Sequence, residues 1–424
     1  IVIAQTIRMC LKISKGGALK NPFLSLKYSN FRIYWIGMNL SLIGSWMQSV
    51  ALPWLVLSIT ADAFKVSLVA AARFLPALLF TPFSGVLLDK FNRKKILLLA
   101  QIGMAVTASI FAVMSFCELY SFGKILFCAF ASGIFTSMDA PSRQSMVKDL
   151  IDSPRDLANA IALNSMSFNV ARIAGPALAG IVMALWGVGF CFLFNALSFL
   201  GIIVSLFFIK IPPSATMLSS RSGGVFASIG AGISYVSHKK TLSELMIIVL
   251  IVATLVPNYN VTISALVKLS LGADERSFGY LMSALGVGAF CGALFVAVFD
   301  KLGIRKIRSC AIAMGVSLAL TGAANSFVWA AAGLAATGFL FVITNSSINS
   351  TVQMHVSNEF RGRVLSLYAL FLIGSTPFGA LISGFFTELL GARVALAICG
   401  AISILLLLAL FYGFKIWHRT HFIF

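Results

Sequence analysis

The chain has 424 residues, of which 59% are hydrophobic and 11% charged, with a mean hydropathy of +0.97 and a formal net charge of +19. Soluble domains carry about 25% charged residues, so this composition excludes an ordinary soluble enzyme or binding domain and indicates a membrane protein. The basic residues lie between apolar runs, as in the cytoplasmic loops of membrane proteins, and we expect no nucleic-acid partner.

The apolar residues form twelve runs, each near or above the length that crosses about 30 Å of hydrocarbon. Continuous runs of this length predict helices, because the strands of a membrane barrel alternate over about ten residues. We therefore predict an all-α polytopic membrane protein with twelve transmembrane helices. The runs are Phe31–Ile59, Val66–Leu88, Ile96–Phe116, Phe122–Met138, Ala158–Leu185, Val188–Ile209, Leu242–Val267, Phe278–Phe299, Ile307–Ala324, Val328–Val352, Val364–Phe386 and Val394–Phe414.

The longest break between these runs contains two prolines and several serines and glycines, which predicts a linker between two six-helix halves. The halves form a pseudo-repeat, as in many transporter folds. The predicted organisation is a basic N-terminal segment at 1–30, an N-terminal half at 31–209, a cytoplasmic linker at 210–241, a C-terminal half at 242–414 and a cytoplasmic tail at 415–424.

The distribution of Lys and Arg predicts the orientation of the chain in the membrane. If the N-terminus is cytoplasmic, 25 of the 32 basic residues fall on cytoplasmic segments and five on outside loops. Cytoplasmic loops carry the excess of basic residues, so we expect both termini in the cytoplasm. The opening segment has no signal-cleavage pattern.

The cysteines and histidines give no sign of catalytic or metal chemistry. The seven cysteines form no CxxC pair or Cys/His cluster, and the four histidines lie in loops, at a helix end or in the tail. We expect no disulfide framework, no metal site and no cofactor. A membrane-embedded enzyme would need a reactive cluster at a reachable depth, so we expect no enzymatic activity.

The segment after the second predicted helix combines a glycine, an acid four residues on and a basic cluster, and a similar segment follows the eighth helix. The segment from Gly85 to Lys95 resembles the signature cytoplasmic loop of the major facilitator superfamily, with Asn92 in place of the usual glycine. The resemblance implies a latch in which Asp89 meets a helix N-terminus or Arg143; the alternative is a loop that only orients the chain. The implied gating residues are Gly85, Asp89, Lys90, Arg93, Lys94, Arg143, Asp300 and Arg305.

The fifth predicted helix contains Gly175, Pro176 and Gly180 in a segment that resembles the Gly-Pro antiporter motif of the exporter branches of that superfamily. Ala171 and Ala179 stand where the motif has glycine. Proline bends a helix and small residues let helices approach closely. The resemblance implies an exporter; the alternative is a kink that serves packing only.

Five further stretches, spread from about Asn30 to Tyr412, resemble the enterobactin-exporter branch of the superfamily. The resemblance implies a monomeric inner-membrane protein of a bacterium that exports a siderophore or drug by alternating access, with protons as the coupling ion. Uptake and lysophospholipid flipping are the alternatives within the fold. The stretches begin at Phe31, Ile43, Asp139, Asn159 and Arg361.

Polar residues inside the apolar runs predict a substrate cavity, because polar side chains that face lipid are costly. In the fold that the resemblance implies, helices one, four, seven and ten line this cavity. Hydrogen bonds between helices are the alternative for any one of these residues. The predicted cavity residues are Ser41, Ser45, Gln48, Asn169, Arg172, Asn258, Asn260, Asn345 and Asn349.

Two charged residues carry the mechanistic expectations. Arg172 lies deep in the fifth helix, where a charge costs at least about 2.5 kcal/mol, and we expect it to attract an anionic or catecholate group of a small-molecule substrate. Hydrogen bonding to carbonyls near Pro176, or extension of the side chain to the membrane surface, is the alternative. Asp139, at the inner end of the fourth run, is the candidate for proton coupling, with a structural ion pair as the alternative.

Overall fold

The computed structural model describes residues 23–90, 92–209, 225–299, 302–357 and 359–420, without the side chains of 81–90, 154, 225–229 and 415–420. Within these ranges the chain is helical and has no strand. The side chains of Gly85, Asp89 and Lys90, and all of Asp300, lie outside the described part.

The N-terminal half consists of six long helices. They are α1 (Ser29–Thr60), α2 (Ala63–Lys90), α3 (Arg93–Phe116), α4 (Phe122–Asp149), α5 (Pro154–Trp186) and α6 (Val188–Phe208). Within this half α1 packs against α6 and α5, α2 against α4, and α3 against both α4 and α6.

The C-terminal half has six more helices, two of them broken. They are α7 (Lys240–Ser270), α8 (Glu275–Val298), α9 (Ile304–Ala323), α10 (Phe327–His355), α11 (Arg361–Leu390) and α12 (Ala392–Thr420). α7 is interrupted between Leu255 and Tyr259, around Pro257, and α11 at Ser375, just before Pro377. Proline supplies no N–H and disfavours helical geometry in the residue before it, which accounts for both breaks.

Eleven of these twelve helices are long and apolar enough to span a membrane. The other, α9, begins with three basic residues within its first five positions, which lowers its hydropathy although it is 20 residues long. It packs between α10 and α12, as one of the membrane helices of the bundle would.

The halves meet mainly along two helix pairs, α5 with α8 and α2 with α11. Smaller contacts join α7 to α1 and α2, and α1 to α8. We call the end of the bundle where α6 finishes and α7 begins the linker end, and the opposite end the distal end. A further linker helix, Val225–Ser237, lies in the predicted linker and packs against the first part of α11.

Some of the predicted boundaries were wrong. In the segment Gly85–Lys95, α2 continues to Lys90 and α3 starts at Arg93. Asn92, just before α3, has φ −62°, and its side chain caps α3 by accepting bonds from the backbone N–H groups of Lys94 and Lys95. Capping is a preferred use of asparagine.

Candidate functional site

The two halves are tied together at the distal end. The indole of Trp54 in α1 donates to Glu275 of α8 at 3.2 Å and stacks on Phe278 at 5.6 Å. Lys268 of α7 donates to Ser58 of α1 at 2.5 Å. These contacts come from opposite halves, so the distal end of the bundle is closed.

A second distal contact caps α2 across the halves. Glu388, near the distal end of α11, accepts the backbone N–H of Ala63 at 2.8 Å. Ala63 begins α2, whose first N–H groups have no partner within their own helix. A carboxylate is favoured at this position by the helix dipole as well.

Glycines allow α5 and α8 to approach at backbone distance. A Cβ on Gly279 would lie 2.6 Å from the carbonyl oxygen of Pro176 and 2.8 Å from the Cα of Gly180. Gly175, on another face of α5, lies against Trp46 and Ile43 of α1. The predicted helix-kink residues therefore all lie in helix–helix contacts, two of them across the halves.

The described hydrogen bonds between the halves lie toward the distal end. The deepest of them runs from Ser283 of α8 to the carbonyl of Ile173 in α5, at 3.0 Å. Among the described residues, no hydrogen bond or ion pair joins the halves closer to the linker end. Helix packing between the halves continues past this point, since Gly286 of α8 lies against Arg172 of α5 and the first part of α11 packs against α2.

A buried polar cluster lies in the N-terminal half, between α1, α3 and α4. Arg143 pairs with Asp139 one helical turn away at 2.7 Å and donates to Ser41 of α1 at 3.1 Å. Gln101 of α3 donates to the same carboxylate at 2.5 Å. The side chains of Asp139 and Arg143 are only 13% and 11% exposed.

The depth of this cluster corrects the sequence prediction, which placed Asp139 at the end of its helix. α4 continues to Asp149, so Asp139 lies ten residues inside, about 15 Å from the linker end. Arg143 is engaged with Asp139 and Ser41, which argues against it as the partner of Asp89. Its Nη1 atom is buried without a partner, as is the nearby hydroxyl of Tyr34.

Arg172 lies in the middle of α5, fourteen residues from the distal end of the helix, about 21 Å along its axis. Its guanidinium lies 5.5 Å from the ring of Trp46 and 5.6 Å from that of Phe168, and it interacts electrostatically with Tyr259 of α7. Because Trp46 and Tyr259 belong to different halves, Arg172 faces the interior of the bundle and not lipid. Its Nε atom is buried without a hydrogen-bond partner in the described chain.

A second cation inside a membrane helix is Arg73 of α2, ten residues from the distal start of the helix. It is half-buried and makes no ion pair with any described carboxylate. Arg73 was not among the predicted site residues, although an arginine inside an apolar run was a signal that the sequence offered.

The other predicted cavity residues divide between packing contacts and open positions. Gln48 accepts the amide of Asn195 in α6 at 2.6 Å, so it lies inside the N-terminal half. Asn169 donates to Ser165 and Asn258 to Thr254, each within its own helix. The residues left half-buried without a described side-chain bond are Ser45 and Asn260, and the Oδ1 atom of Asn260 is a buried acceptor without a partner.

Asn345 and Asn349 line an open cleft of about 610 Å³ between α10 and α11. Asn349 accepts a bond from Gln353 one turn further on. The Oδ1 atom of Asn345 is buried without a partner. The cleft opens toward the linker end of the C-terminal half, where Arg361 begins α11.

The described residues of the predicted gating loop make contacts within the N-terminal half. Arg93 pairs with Asp149 of α4 at 3.2 Å, and Lys94 donates to the last carbonyl before the linker, that of Ile209, at 2.8 Å. Arg305 is exposed at the start of α9. Within the ranges that the structure describes, no three His, Cys, Asp or Glu side chains lie close enough to hold a metal ion.

The sequence profile of transmembrane secretion effectors matches residues 20–421. The chain belongs to the transmembrane secretion effector family of the major facilitator superfamily. It is therefore a membrane transporter and not an enzyme, with the fold that the sequence predicted.

Among its relatives, this transporter is similar to macrolide efflux protein A of Streptococcus pyogenes, 23% identical over 87% of this chain and 92% of the relative. It is as similar to the staphyloferrin A transporter of Staphylococcus aureus, with the same identity and coverage. The multidrug efflux pump Tap of Mycolicibacterium fortuitum is 23% identical over 80% of this chain and 85% of the pump.

Solved structures show the same fold. The nucleoside transporter NupG superposes with a TM-score of 0.71 at 14% identity, over 93% of this chain and all of NupG. A bacterial homologue of the lysosomal transporter Spinster, solved in an inward-facing and occupied conformation, gives 0.68 at 14% identity, over 93% of this chain and 97% of the homologue.

Proposed function

We propose that this transporter exports a small amphipathic molecule with an anionic group, of the siderophore or drug kind, across the bacterial inner membrane. The observation that carries the proposal is Arg172, an unpaired cation at mid-membrane between aromatic residues of both halves. The efflux names of the relatives, which include a siderophore transporter and drug pumps, support the direction and the substrate class.

The proposal assigns the linker end of the bundle to the cytoplasm. The excess of Lys and Arg on that side supports this orientation, and the hydrogen bonds that join the halves at the distal end then lie toward the outer side of the membrane. Reporter fusions at Ser220 and after Phe424 test the orientation. Both should report a cytoplasmic location, and a periplasmic signal at either position would overturn it.

Arg172 supplies the charge recognition in this proposal. A cation at this depth costs at least about 2.5 kcal/mol, and the rings of Trp46 and Phe168 offset part of that cost through cation–π contact. A planar anionic substrate group would pair with the guanidinium while the flanking rings hold its apolar body. The buried Nε atom of Arg172 would then gain the acceptor that it lacks.

The test compares export of 2,3-dihydroxybenzoate with that of its neutral amide, 2,3-dihydroxybenzamide, from cells that express the transporter. Arg172→Lys keeps the charge without the planar fork, and Arg172→Gln keeps hydrogen bonding without the charge. We expect Lys to retain more export of the acid than Gln, with a smaller effect on the amide. Equal loss of both compounds, together with reduced protein in the membrane, would refute charge recognition.

We propose that Asp139 takes part in proton coupling. Its carboxylate lies within the membrane and is held by Arg143 and Gln101, and intramembrane carboxylates often form proton relays. Protonation of Asp139 would release Arg143, which already has one Nη atom without a partner. A change in the contacts of Arg143 to α1 would then accompany the movement of the halves.

A further inference from the structure

The cleft between α10 and α11 is a feature that the central site does not use. Its lining comes entirely from the C-terminal half, and Arg172 and the aromatic residues around it take no part in it. From Asn345 to the end of α10 it runs over ten residues, about 15 Å. The lining residues are Asn345, Ser346, Asn349, Ser350, Gln353, Met354, Arg361, Tyr368 and Leu372.

The wall of the cleft on α10 is a row of amides and hydroxyls. Asn345, Asn349 and Gln353 are spaced four residues apart, so they share one face of the helix. Asn345 is 9% exposed, and its Oδ1 atom has no partner. A buried acceptor without a partner is unfavourable, and a ligand hydroxyl in the cleft would supply the missing hydrogen bond.

Tyr368 positions this row from the side of α11. Its hydroxyl donates to the backbone carbonyl of Asn345 at 3.1 Å and also interacts with the side chain of Asn349. Tyr368 is itself buried. The two helices that form the cleft are therefore fixed to each other beside the unpartnered Oδ1 atom of Asn345.

Arg361 supplies the charge at the mouth of the cleft. It is exposed and pairs with none of the described carboxylates. Two other arginines of this half are engaged: Arg308 forms a two-point pair with Glu244, and Arg363 lies over the ring of Phe360 at 5.2 Å. The guanidinium of Arg361 is thus free to hold a carboxylate by two parallel hydrogen bonds.

We propose that this cleft is a second binding site, at the linker end of the C-terminal half, for a water-soluble carboxylate that carries several hydroxyl groups. Arg361 holds the carboxylate, and the amides and serines of α10 pair with the hydroxyls. A plain fatty or aromatic acid would leave the buried Oδ1 atom of Asn345 without a partner, which is unfavourable. The inference rests on the proposed function in that the bound acid is part of the exported molecule, taken up at this site before it reaches Arg172.

The experiment measures binding of radiolabelled gluconate to the purified transporter in phosphatidylcholine nanodiscs. Unlabelled sorbitol has the hydroxyls without the charge, and acetate has the charge without the hydroxyls. We expect gluconate to bind and both analogues to compete at least tenfold less well. No binding, or equal competition by acetate, overturns the inference. Nanodiscs that contain phosphatidylglycerol test whether a lipid headgroup, and not a soluble acid, is the ligand of the cleft. Unchanged affinity for gluconate supports a soluble acid, and competition by the lipid overturns that assignment.

Substitutions locate the bound acid. Arg361→Gln should weaken gluconate binding at least tenfold and Asn345→Leu should weaken it as well, whereas the control Arg363→Gln, at the same helix end, should have no effect. Arg172→Gln separates the two proposals. If Arg172→Gln abolishes binding and Arg361→Gln does not, the acid binds at the central site, and the inference fails while the proposed function stands. If gluconate binding depends on Arg361 but 2,3-dihydroxybenzoate is not exported, the proposed function fails and the cleft site stands.

Discussion

Gly279 of α8 contacts α5 across the two halves in this distal-closed structure. We expect the contact to be lost when the halves separate at the distal end, so a methyl group there should oppose closure. In Gly279→Ala the new Cβ would lie 2.6 Å from the carbonyl oxygen of Pro176, whereas ordinary contacts start at 3.4 Å. The helices must therefore separate by about 0.8 Å. Both clashing groups are backbone, so no side-chain rotation can relieve the overlap.

The same helix provides a matched control. In Gly292→Ala the new Cβ would also lie 2.6 Å from a carbonyl oxygen, that of Phe339 in α10. Phe339 belongs to the same half as Gly292, so this clash is present in every conformation of the transporter. Overpacking costs about 1–3 kcal/mol. In Gly292→Ala this cost lowers stability, and in Gly279→Ala it acts on the distal-closed state alone, changing the ratio of the two states about 5- to 150-fold.

Spin labels on Ile59→Cys in α1 and Leu269→Cys in α7, both exposed at the distal end, report the distance between the halves. Both labelling cysteines are introduced into a variant in which the seven native cysteines have been replaced. Gly279→Ala should shift the population toward the longer distance, and Gly292→Ala should leave the distances unchanged while lowering the unfolding temperature. An unchanged distribution in Gly279→Ala, or the same shift in both variants, would refute the reasoning.

Three further predictions concern single contacts. Asp139→Asn should lower the free energy of unfolding by about 3–5 kcal/mol, because it leaves Arg143 buried without a counter-charge. The double variant Asp139→Asn/Arg143→Gln should recover most of that stability without recovering export. Thermal unfolding in detergent measures the stability, and a transport assay measures the export. Asp89→Asn should insert normally and export more slowly, and wild-type export at equal abundance would reduce its segment to an orienting role. In the linker helix, hydrogen bonds from Lys239 and Ser357 lower the pKa of Tyr235 to about 8 from its ordinary value of 10. Docking of that helix should therefore gain stability as the pH rises from 8 toward 10, and this gain should be absent below 8; an absorbance titration that does not change in Tyr235→Phe would contradict this.

The fold could be predicted because apolar runs of membrane length leave few alternatives to helices. The boundaries that failed are those where polar residues lie within protein and not at the membrane surface. The predicted run ended at Met138, yet α4 continues to Asp149. Its last eleven residues include Asp139 and Arg143, which pair with Gln101 and Ser41 of neighbouring helices and so lie within protein. Hydropathy alone cannot distinguish such a protein-facing segment from a loop.

The candidate site was only partly predictable for a related reason. Arg172 is conspicuous in the sequence because a charge among apolar residues needs an explanation, whatever its neighbours are. The role of Gln101 depends on a carboxylate 38 residues away, and no local pattern indicates that contact. Arg361 belongs to a stretch that had been used only for the family resemblance, and its relation to Asn345 and Asn349 becomes visible once α10 and α11 are seen side by side.

The position of Arg172 on α5 links substrate recognition to the movement of the halves. Its backbone carbonyl lies against Gly286 of α8, where a Cβ would approach it to 2.7 Å, and the next residue, Ile173, accepts the deepest hydrogen bond between the halves. The backbone of Arg172 therefore belongs to the close contact between α5 and α8, while its guanidinium faces the interior of the bundle. An anion that binds this guanidinium more tightly in one arrangement of the two helices must shift the equilibrium toward that arrangement, by as much as its two affinities differ. Charge recognition at this residue, unlike recognition on an outer helix face, acts directly on the contact that must change during transport.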